Sequence, residues 1–136
     1  RRQNHLVKDV TQVASASKLG DYEIIDARSA SRFRGDEAEP REGLRSGHIP
    51  GSKNVFFKTL LKEDGTMKEP KDIRKSFIEA GVDLDKPAIT TCGSGITAAI
   101  LSLALNLIQK TDHALYDGSW TEWGQFSTLP IRTGSD

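Results

Sequence analysis

Cysteine and histidine are scarce in this sequence of 136 residues, which contains one cysteine and three widely separated histidines. A single cysteine excludes a disulfide within the chain, and no cysteine or histidine cluster has the spacing of a zinc site. We therefore expect no metal and no cofactor. A lone thiol persists most readily in a reducing compartment, so we expect an intracellular location, in the cytoplasm, the mitochondrion or both.

The sequence also lacks an excess of charge of one sign and long apolar runs. Nineteen Lys and Arg residues balance nineteen Asp and Glu residues, which gives a formal net charge of zero. A neutral chain has no overall field that attracts nucleic acid or an anionic membrane. No apolar run approaches the roughly 20 residues of a membrane-spanning helix, and no signal-peptide core is present. We expect neither nucleic acid nor a membrane as a partner.

What the sequence does contain is an alternation of strand and helix patterns over a single domain, residues 1–136. The predicted strands are residues 6–7, 22–26, 54–55, 88–91 and 114–116, and the predicted helices are residues 10–18, 56–61, 70–81, the apolar stretch after the cysteine, and a capped turn at 119–123. This alternation predicts an α/β fold, a central parallel sheet flanked by helices on both faces. Ligands bind at the carboxyl edge of such sheets.

Two of the predicted helices have distinctive apolar patterns. In the helix over residues 70–81, Ile73, Phe77 and Ile78 share one side. The helix after the cysteine is apolar on most sides, which predicts a central position in the fold. The polar, arginine-rich segment 29–47 shows neither a helical nor a strand-like apolar periodicity, so no helix or strand is predicted there.

The cysteine lies between a predicted strand and a predicted helix. Cys92 follows the apolar run 88–91 and precedes the turn Gly93-Ser94-Gly95. The amide groups at a helix N-terminus have no partner within the helix, and the helix dipole adds partial positive charge there, so Cys92 is expected to be partly thiolate near neutral pH. The flanking glycines are expected to leave the sulfur open to an incoming group. The alternative interpretation is a buried thiol at the end of a strand.

Three kinds of chemistry compete for this loop. A dinucleotide-binding fingerprint, Gly93-x-Gly95-x-x-Ala98, is disfavoured by the cysteine before the first glycine and by its late position in a small domain. A cysteine phosphatase needs an arginine six positions after the cysteine to bind phosphate, and that position holds Ala98. Sulfur transfer needs an activated thiolate, a ring of amide donors and no second cysteine, and the loop offers all three.

Several ordered motifs resemble those of the rhodanese superfamily over nearly the whole chain. They are Asp26-Ala27-Arg28, Arg32-Phe33-Arg34-Gly35, Glu39-Pro40-Arg41-x-Gly43, Gly47-His48-Ile49-Pro50-Gly51, Cys92-Gly93-Ser94-Gly95 and Tyr116-Asp117-Gly118-Ser119-Trp120-x-Glu122-Trp123. Within the superfamily, the neutral cysteine loop resembles the C-terminal catalytic domains of mercaptopyruvate-using sulfurtransferases, whereas thiosulfate-using relatives carry basic residues after the cysteine.

The resemblance implies a sulfurtransferase that moves sulfane sulfur from 3-mercaptopyruvate, through a persulfide on Cys92, to cyanide or to a thiol such as thioredoxin, with release of pyruvate. Arg32 and Arg41 are then expected to bind the carboxylate and keto group of the donor, as guanidinium forks do. From charge alone they are equally well explained as solvated partners of acidic neighbours, namely Glu37, Glu39 and Glu42.

For the loop, the resemblance implies that amide groups point toward the sulfur, namely those of Gly93, Ser94, Gly95, Ile96 and Thr97. It also implies that the Ser94 hydroxyl relays a proton as the pyruvate enolate leaves. In family members the counterpart of Ser94 works with a His and an Asp of a preceding rhodanese-like domain. Because this chain opens on Arg1 without a methionine, we expect it to be a piece of something longer, and the resemblance implies that it is the C-terminal half of a tandem protein.

The remaining motif residues are expected to support the structure. Arg28 is interpreted as pairing within the fold, His48 as satisfying buried backbone groups, and Trp120 and Trp123 as packing residues rather than site-lining ones. Two rival functions stay open: a thiosulfate:cyanide sulfurtransferase, which the neutral loop disfavours, and a non-catalytic module that has kept the fold.

Overall fold

A computed structural model describes residues 7–39, 42–93, 97–126 and 128–134, and its centre is a five-stranded sheet. The strands are β1 (Val7–Lys8), β2 (Glu23–Asp26), β3 (Lys53–Asn54), β4 (Ala88–Thr91) and β5 (His113–Tyr116). Their order is β1-β5-β4-β2-β3, and all four pairings are parallel. The predicted parallel α/β fold is therefore confirmed, and each predicted strand is found within one or two residues of its expected bounds.

Helices connect the strands. They are α1 (Val10–Leu19), α2 (Ala30–Arg34), a 3-10 turn (Phe57–Leu60), α3 (Pro70–Glu79), α4 (Ala98–Leu107) and α5 (Ser119–Trp123). α1 begins at Asp9 with a reciprocal capping box to Gln12 and ends at Gly20 in the left-handed conformation, which satisfies terminal backbone groups at both ends. No described helix has the length and apolar character needed to cross a bilayer.

One element was missed. α2 lies inside the polar segment 29–47, and its only buried residue is Phe33. A helix of five residues with one buried apolar side chain leaves no periodic signal in the sequence, so its position is fixed by packing rather than by local pattern.

Two apolar layers cover the two faces of the sheet. α3 and α4 pack on the face that carries Ile25 and Ala88, and α1 and α5 pack on the face that carries Ile24 and Ile89. Successive strand residues point to opposite faces, so these neighbours fall in different layers. The expectation of helices on both faces is confirmed.

Two expectations about helix burial were wrong. α4 is not buried on all sides, because Leu103 is 50 % exposed and Leu107 is 40 % exposed, while Leu101 and Leu105 are fully buried. On α3, Ile78 is 56 % exposed and does not share the buried side of Ile73. Each helix has the sheet on one side only, so the opposite side meets solvent whatever its composition.

Candidate active site

The carboxyl edge of the sheet brings the two predicted site segments together. β2 and β4 are neighbours with Asp26 opposite Thr91, and the Ala27 amide donates to the Thr91 carbonyl at 2.8 Å. Arg28 and Cys92 therefore leave the sheet side by side at the edge where α/β proteins bind ligands. The sequence-based expectation for this edge is confirmed.

Cys92 is buried, with 1 % of its surface exposed, so the expectation of an open sulfur was wrong for this structure. The cause is the register of β4. Side chains along a strand alternate between the two faces, so Cys92, four residues after Ala88, points to the same face as Ala88. The apolar layer on this face is covered by α4. Gly93, the next residue, is partly exposed and lines a cavity, so the cysteine lies one residue behind the cavity surface.

Helix α5 holds the backbone on both sides of the cysteine. The Trp120 amide donates to the Cys92 carbonyl at 2.8 Å, and the Thr121 amide donates to the Gly93 carbonyl at 2.9 Å. The Thr121 hydroxyl donates to the same Gly93 carbonyl at 2.6 Å. The Gly93 amide belongs to the same peptide group as the Cys92 carbonyl. Because a trans peptide directs its N–H opposite to its C=O, and this C=O points toward α5, the Gly93 amide points away from α5.

Ser119 is a site residue that sequence reasoning missed. Its hydroxyl lies 3.9 Å from the Cys92 sulfur and 3.4 Å from the Cys92 amide nitrogen, and it donates to the Tyr116 carbonyl. The sequence predicted a capped turn beginning here. Instead Gly118 is the N-cap, and Ser119 lies inside the helix with φ +53°. No local signal reveals a contact between residues 27 positions apart.

Arg28 is a structural residue, as expected. Its guanidinium binds both carboxylate oxygens of Asp26, donates to the Gly47 carbonyl, and lies 4.5 Å from the centre of the Trp120 ring. A further ion pair joins it to Glu39 at 3.1 Å, and both side chains are 1 % exposed. A buried charge with two carboxylate partners is fully compensated, and this arrangement fixes the end of β2 against α5.

Arg32 pairs with the same glutamate and reaches over the cysteine loop. Its Nη2 donates to Glu39 Oε1 at 2.7 Å and its Nε donates to Oε2 at 3.3 Å. This hydrogen bond raises the pKa of Arg32 above its ordinary value, against the opposing effect of partial burial. A Cβ added to Gly93 would stand 2.7 Å from Arg32 Nη2, so only glycine permits this close approach.

The cavity beside the loop has a volume of about 710 Å³. Gly93, Thr97 and Thr121 line it from the cysteine side. Arg32 and Glu39 line it as well, so Arg32 both forms the ion pair suggested by the charge pattern and faces the space where a ligand would bind. The remaining lining residues are Arg28, Ser29, Leu44, Phe56, Phe57 and Lys58.

The other predicted residues are distributed as follows. Thr97 is the N-cap of α4, at the cavity. Arg41, Ser94, Gly95 and Ile96 lie outside the residues that the structure describes, so their predicted roles stay predictions.

The remaining motif residues have structural roles. His48 is fully buried, stacks on Phe33 with ring centres 3.8 Å apart, and bonds through Nδ1 with the Phe33 carbonyl at 2.7 Å. Trp120 and Trp123 are buried, and their indole N–H groups donate to the carbonyls of Arg45 and Pro130. The interpretation of these side chains as supports of the fold is confirmed.

Comparison with known proteins gives consistent matches. A family model described as "Rhodanese-like domain" matches residues 9–126. The Arabidopsis thaliana protein named thiosulfate/3-mercaptopyruvate sulfurtransferase 1, mitochondrial, is 44 % identical over 131 residues, which are 96 % of this chain and 35 % of that protein. The 3-mercaptopyruvate sulfurtransferase of Escherichia coli K12 is 46 % identical over 126 residues, 93 % of this chain and 44 % of the relative.

A solved structure agrees with these matches. The crystal structure of the Tum1 protein from Saccharomyces cerevisiae has a TM-score of 0.88 and 34 % identity, over 98 % of this chain and 48 % of that one. The chain thus spans between about a third and a half of the length of the proteins it matches.

Proposed function

Because this chain belongs to the rhodanese-like domain family, we propose that it is the persulfide-forming domain of a 3-mercaptopyruvate sulfurtransferase. The Cys92 thiolate attacks the sulfur of 3-mercaptopyruvate, and a sulfur–sulfur bond forms while the carbon–sulfur bond breaks. The electron pair of the broken bond goes to the pyruvate enolate, which takes up a proton to become pyruvate. Cys92 is left as a hydropersulfide, which an acceptor such as a thiol or cyanide discharges.

The observation that carries this proposal is the juxtaposition of cysteine, loop and arginine. Cys92 directly follows the central strand β4, Gly93 lines the cavity, and the Arg32 guanidinium lies so close to Gly93 that a Cβ there would displace it. Arg32, together with Arg41, binds the planar carboxylate and keto group of the donor. Such an arrangement would hold the donor sulfur at the cavity surface near Gly93, one residue from Cys92, with the donor carboxylate at the arginine side.

The amide groups of the loop contribute to the same step. Those of Gly93, Gly95, Ile96 and Thr97 stabilise the negative charge on the sulfur atoms. Ser94 relays the proton to the leaving enolate. The Gly93 amide points away from α5 because the Cys92 carbonyl of the same peptide accepts from the Trp120 amide, and this orientation supports this part of the proposal.

The charge balance of the site supports a monocarboxylate donor over thiosulfate. Arg28 is balanced by Asp26 and Arg32 by Glu39, so the two guanidinium groups add no net charge. The loop residues Gly93-Ser94-Gly95 are neutral as well. Among the described residues, a doubly charged thiosulfate would meet no compensating charge beyond the single charge of Lys58, whereas a planar keto acid still finds the guanidinium donors. Thiosulfate remains the second candidate, since the Arabidopsis relative is named for both donors.

For the whole protein we propose a preceding rhodanese-like domain that supplies the His and Asp partners of Ser94. The support is that the chain spans less than half of the relatives it matches. A thiol, that of thioredoxin or of a small molecule, is the proposed acceptor, and the cytoplasm or the mitochondrion is the proposed location. If that preceding domain is essential, this chain alone will behave as a non-catalytic module.

The test is intact mass after incubation with 3-mercaptopyruvate or with thiosulfate. We expect 3-mercaptopyruvate to add one sulfur, about 32 Da, which a reductant removes, and Cys92→Ser to add none while keeping the circular dichroism spectrum of the fold. Persulfide formation by the Cys92→Ser protein would refute the role of Cys92. If the intact protein gained no sulfur from 3-mercaptopyruvate, the proposed activity would be wrong; a gain from thiosulfate alone would establish the second candidate.

A further inference from the structure

The cavity is much larger than the proposed donor. 3-Mercaptopyruvate is a three-carbon acid, whereas cavities of roughly 300–1,000 Å³ enclose ligands of drug size, and this one measures about 710 Å³. Arg32 and Gly93 occupy one side of it, and the wall made by Phe56, Phe57 and Lys58 takes no part in donor binding as described above. Space for a second, larger reactant therefore lies next to the cysteine loop.

Lys58 gives this second part of the cavity its charge. Among the described residues, no carboxylate pairs with Lys58, and its side chain is exposed on the 3-10 turn. The two arginines that line the cavity are each compensated by a carboxylate, Arg28 by Asp26 and Arg32 by Glu39. Among the described residues that line the cavity, the charge of Lys58 is left uncompensated, and it favours an anionic ligand.

The turn that carries Lys58 is separated from the cysteine by the width of two strand pairings. β3 leads into this turn, β2 lies next to β3, and β4 with Cys92 comes next. The Phe57 amide donates to the Ala27 carbonyl at 3.1 Å, which fixes the turn at the same carboxyl edge. With neighbouring strands about 4.8 Å apart, the ends of β3 and β4 are roughly 10 Å apart.

A ligand that bridges this distance must be longer than the donor. Three covalent bonds separate the sulfur of 3-mercaptopyruvate from its carboxylate carbon, and they span only about 4 Å. A thiol within a short peptide has carboxylates several bonds further from its sulfur. Its aliphatic part would lie along the two phenylalanine rings, which meet edge to face at 5.1 Å.

From this size, charge and spacing we infer that Lys58, with Phe56 and Phe57, forms an acceptor subsite for a carboxylate-bearing peptide thiol. The inference rests on the proposed function, because it assigns the second half of that reaction. The acceptor thiolate attacks the outer sulfur of the Cys92 hydropersulfide. The bond between that sulfur and the Cys92 sulfur breaks, its electron pair returns to Cys92 as thiolate, and the acceptor leaves as a hydropersulfide with no external oxidant or reductant.

The test isolates discharge from loading. The protein is first loaded with sulfur by 3-mercaptopyruvate or, independently, by inorganic polysulfide, and the loss of the added sulfur is then followed by mass in a single turnover. Two acceptors are compared, the tripeptide γ-Glu-Cys-Gly, which has two carboxylates, and uncharged 2-mercaptoethanol. Lys58→Met is measured beside Lys75→Met, which removes the same charge from an exposed position on α3 outside the cavity.

We expect Lys58→Met to lower the ratio of the tripeptide rate to the 2-mercaptoethanol rate about three- to fivefold, which is the effect of one partly exposed ion pair. The difference in this ratio between Lys58→Met and the parent protein should shrink as salt is added, and Lys75→Met should keep the ratio of the parent protein. An unchanged ratio in Lys58→Met, or an equal fall in Lys75→Met, would overturn the subsite. A slower loading by 3-mercaptopyruvate in Lys58→Met, with an unchanged discharge ratio, would instead assign Lys58 to the donor.

The two hypotheses fail separately. If 3-mercaptopyruvate loads no sulfur, the proposed function fails, and the polysulfide-loaded protein still tests the acceptor subsite. If loading succeeds and the ratio is unaffected by Lys58→Met, the subsite fails while the donor reaction stands.

Discussion

Replacement of Glu39 by glutamine tests the central electrostatic arrangement of the site. The Glu39 side chain is 1 % exposed and serves two arginines, with Oε1 accepting from Arg32 and Oε2 accepting from both Arg28 and Arg32. Glutamine keeps the shape but removes the charge and replaces one acceptor oxygen by an NH₂ group. That group would face a guanidinium, which also only donates.

The loss of stability expected for Glu39→Gln follows from the hydrogen-bond partners that each arginine retains. Arg28 retains both oxygens of Asp26 and the Gly47 carbonyl, whereas Arg32 loses the only carboxylate that the described residues offer it. Hydrogen bonds to charged groups contribute about 1.5–3 kcal/mol each, and breaking a buried ion pair costs roughly 3–5 kcal/mol. Since Arg28 stays paired, we expect the free energy of unfolding to fall by about 2–4 kcal/mol, and the melting temperature by roughly 10 °C.

The assay is urea unfolding of Glu39→Gln beside Glu37→Gln, a chemically identical change two residues away. Glu37 is exposed, and within the part of the chain that the structure describes its carboxylate accepts only from the Ser31 hydroxyl, so its replacement should cost less than about 0.5 kcal/mol. Because Arg32 would lose its anchor, the KM for 3-mercaptopyruvate should rise in Glu39→Gln and stay level in Glu37→Gln. Equal stabilities of the two variants would refute the argument that Glu39 is the shared counter-charge of the site.

Three further predictions concern other parts of the molecule. Gly93→Ala should displace Arg32 and raise the KM for 3-mercaptopyruvate several-fold at nearly unchanged melting temperature; an unchanged KM would contradict the close approach. Burial lowers the pKa of His113 below its ordinary 6.5, so the unfolded chain binds the proton more tightly, and the free energy of unfolding should fall as pH drops through 6.5 toward the folded pKa. In urea titrations at several pH values, the His113→Gln variant should show a smaller fall of unfolding free energy with decreasing pH than the parent protein; the same pH dependence in both proteins would disprove the role of His113. The Arg45 guanidinium donates to four backbone carbonyls between residues 123 and 129, so Arg45→Met should lower the free energy of unfolding by about 2–4 kcal/mol in a urea titration. A loss below about 0.5 kcal/mol would contradict a stabilising role of these hydrogen bonds.

The sequence predicts best what depends on neighbours along the chain. The strand before Cys92, the cap at Asp9 and the end of α1 at Gly20 follow from local patterns, and the alternation of strands and helices is enough to predict the parallel sheet. The carboxyl edge then predicts that Arg28 and Cys92 lie near each other, as they do.

What could not be predicted depends on contacts between distant residues. Glu39 is one of several acidic residues in a charged segment, and only the folded chain selects it as the partner of Arg28 and Arg32. Burial of Cys92 depends on which face of β4 receives α4. The contacts of Ser119 with Cys92 likewise arise only after the chain has returned to the sheet through β5.

The hydrogen bonds from α5 to the cysteine loop also set an order of assembly during synthesis. Trp120 and Thr121 leave the ribosome well after Cys92 and Gly93, whose carbonyls they bind, and β5, which joins β1 to β4, is likewise made late. A nascent chain that ends before residue 119 therefore carries Cys92, the proposed nucleophile, without the groups that orient its loop. The cysteine becomes part of an organised site only when nearly the whole domain has been translated, which would delay the proposed sulfur chemistry until folding is almost complete.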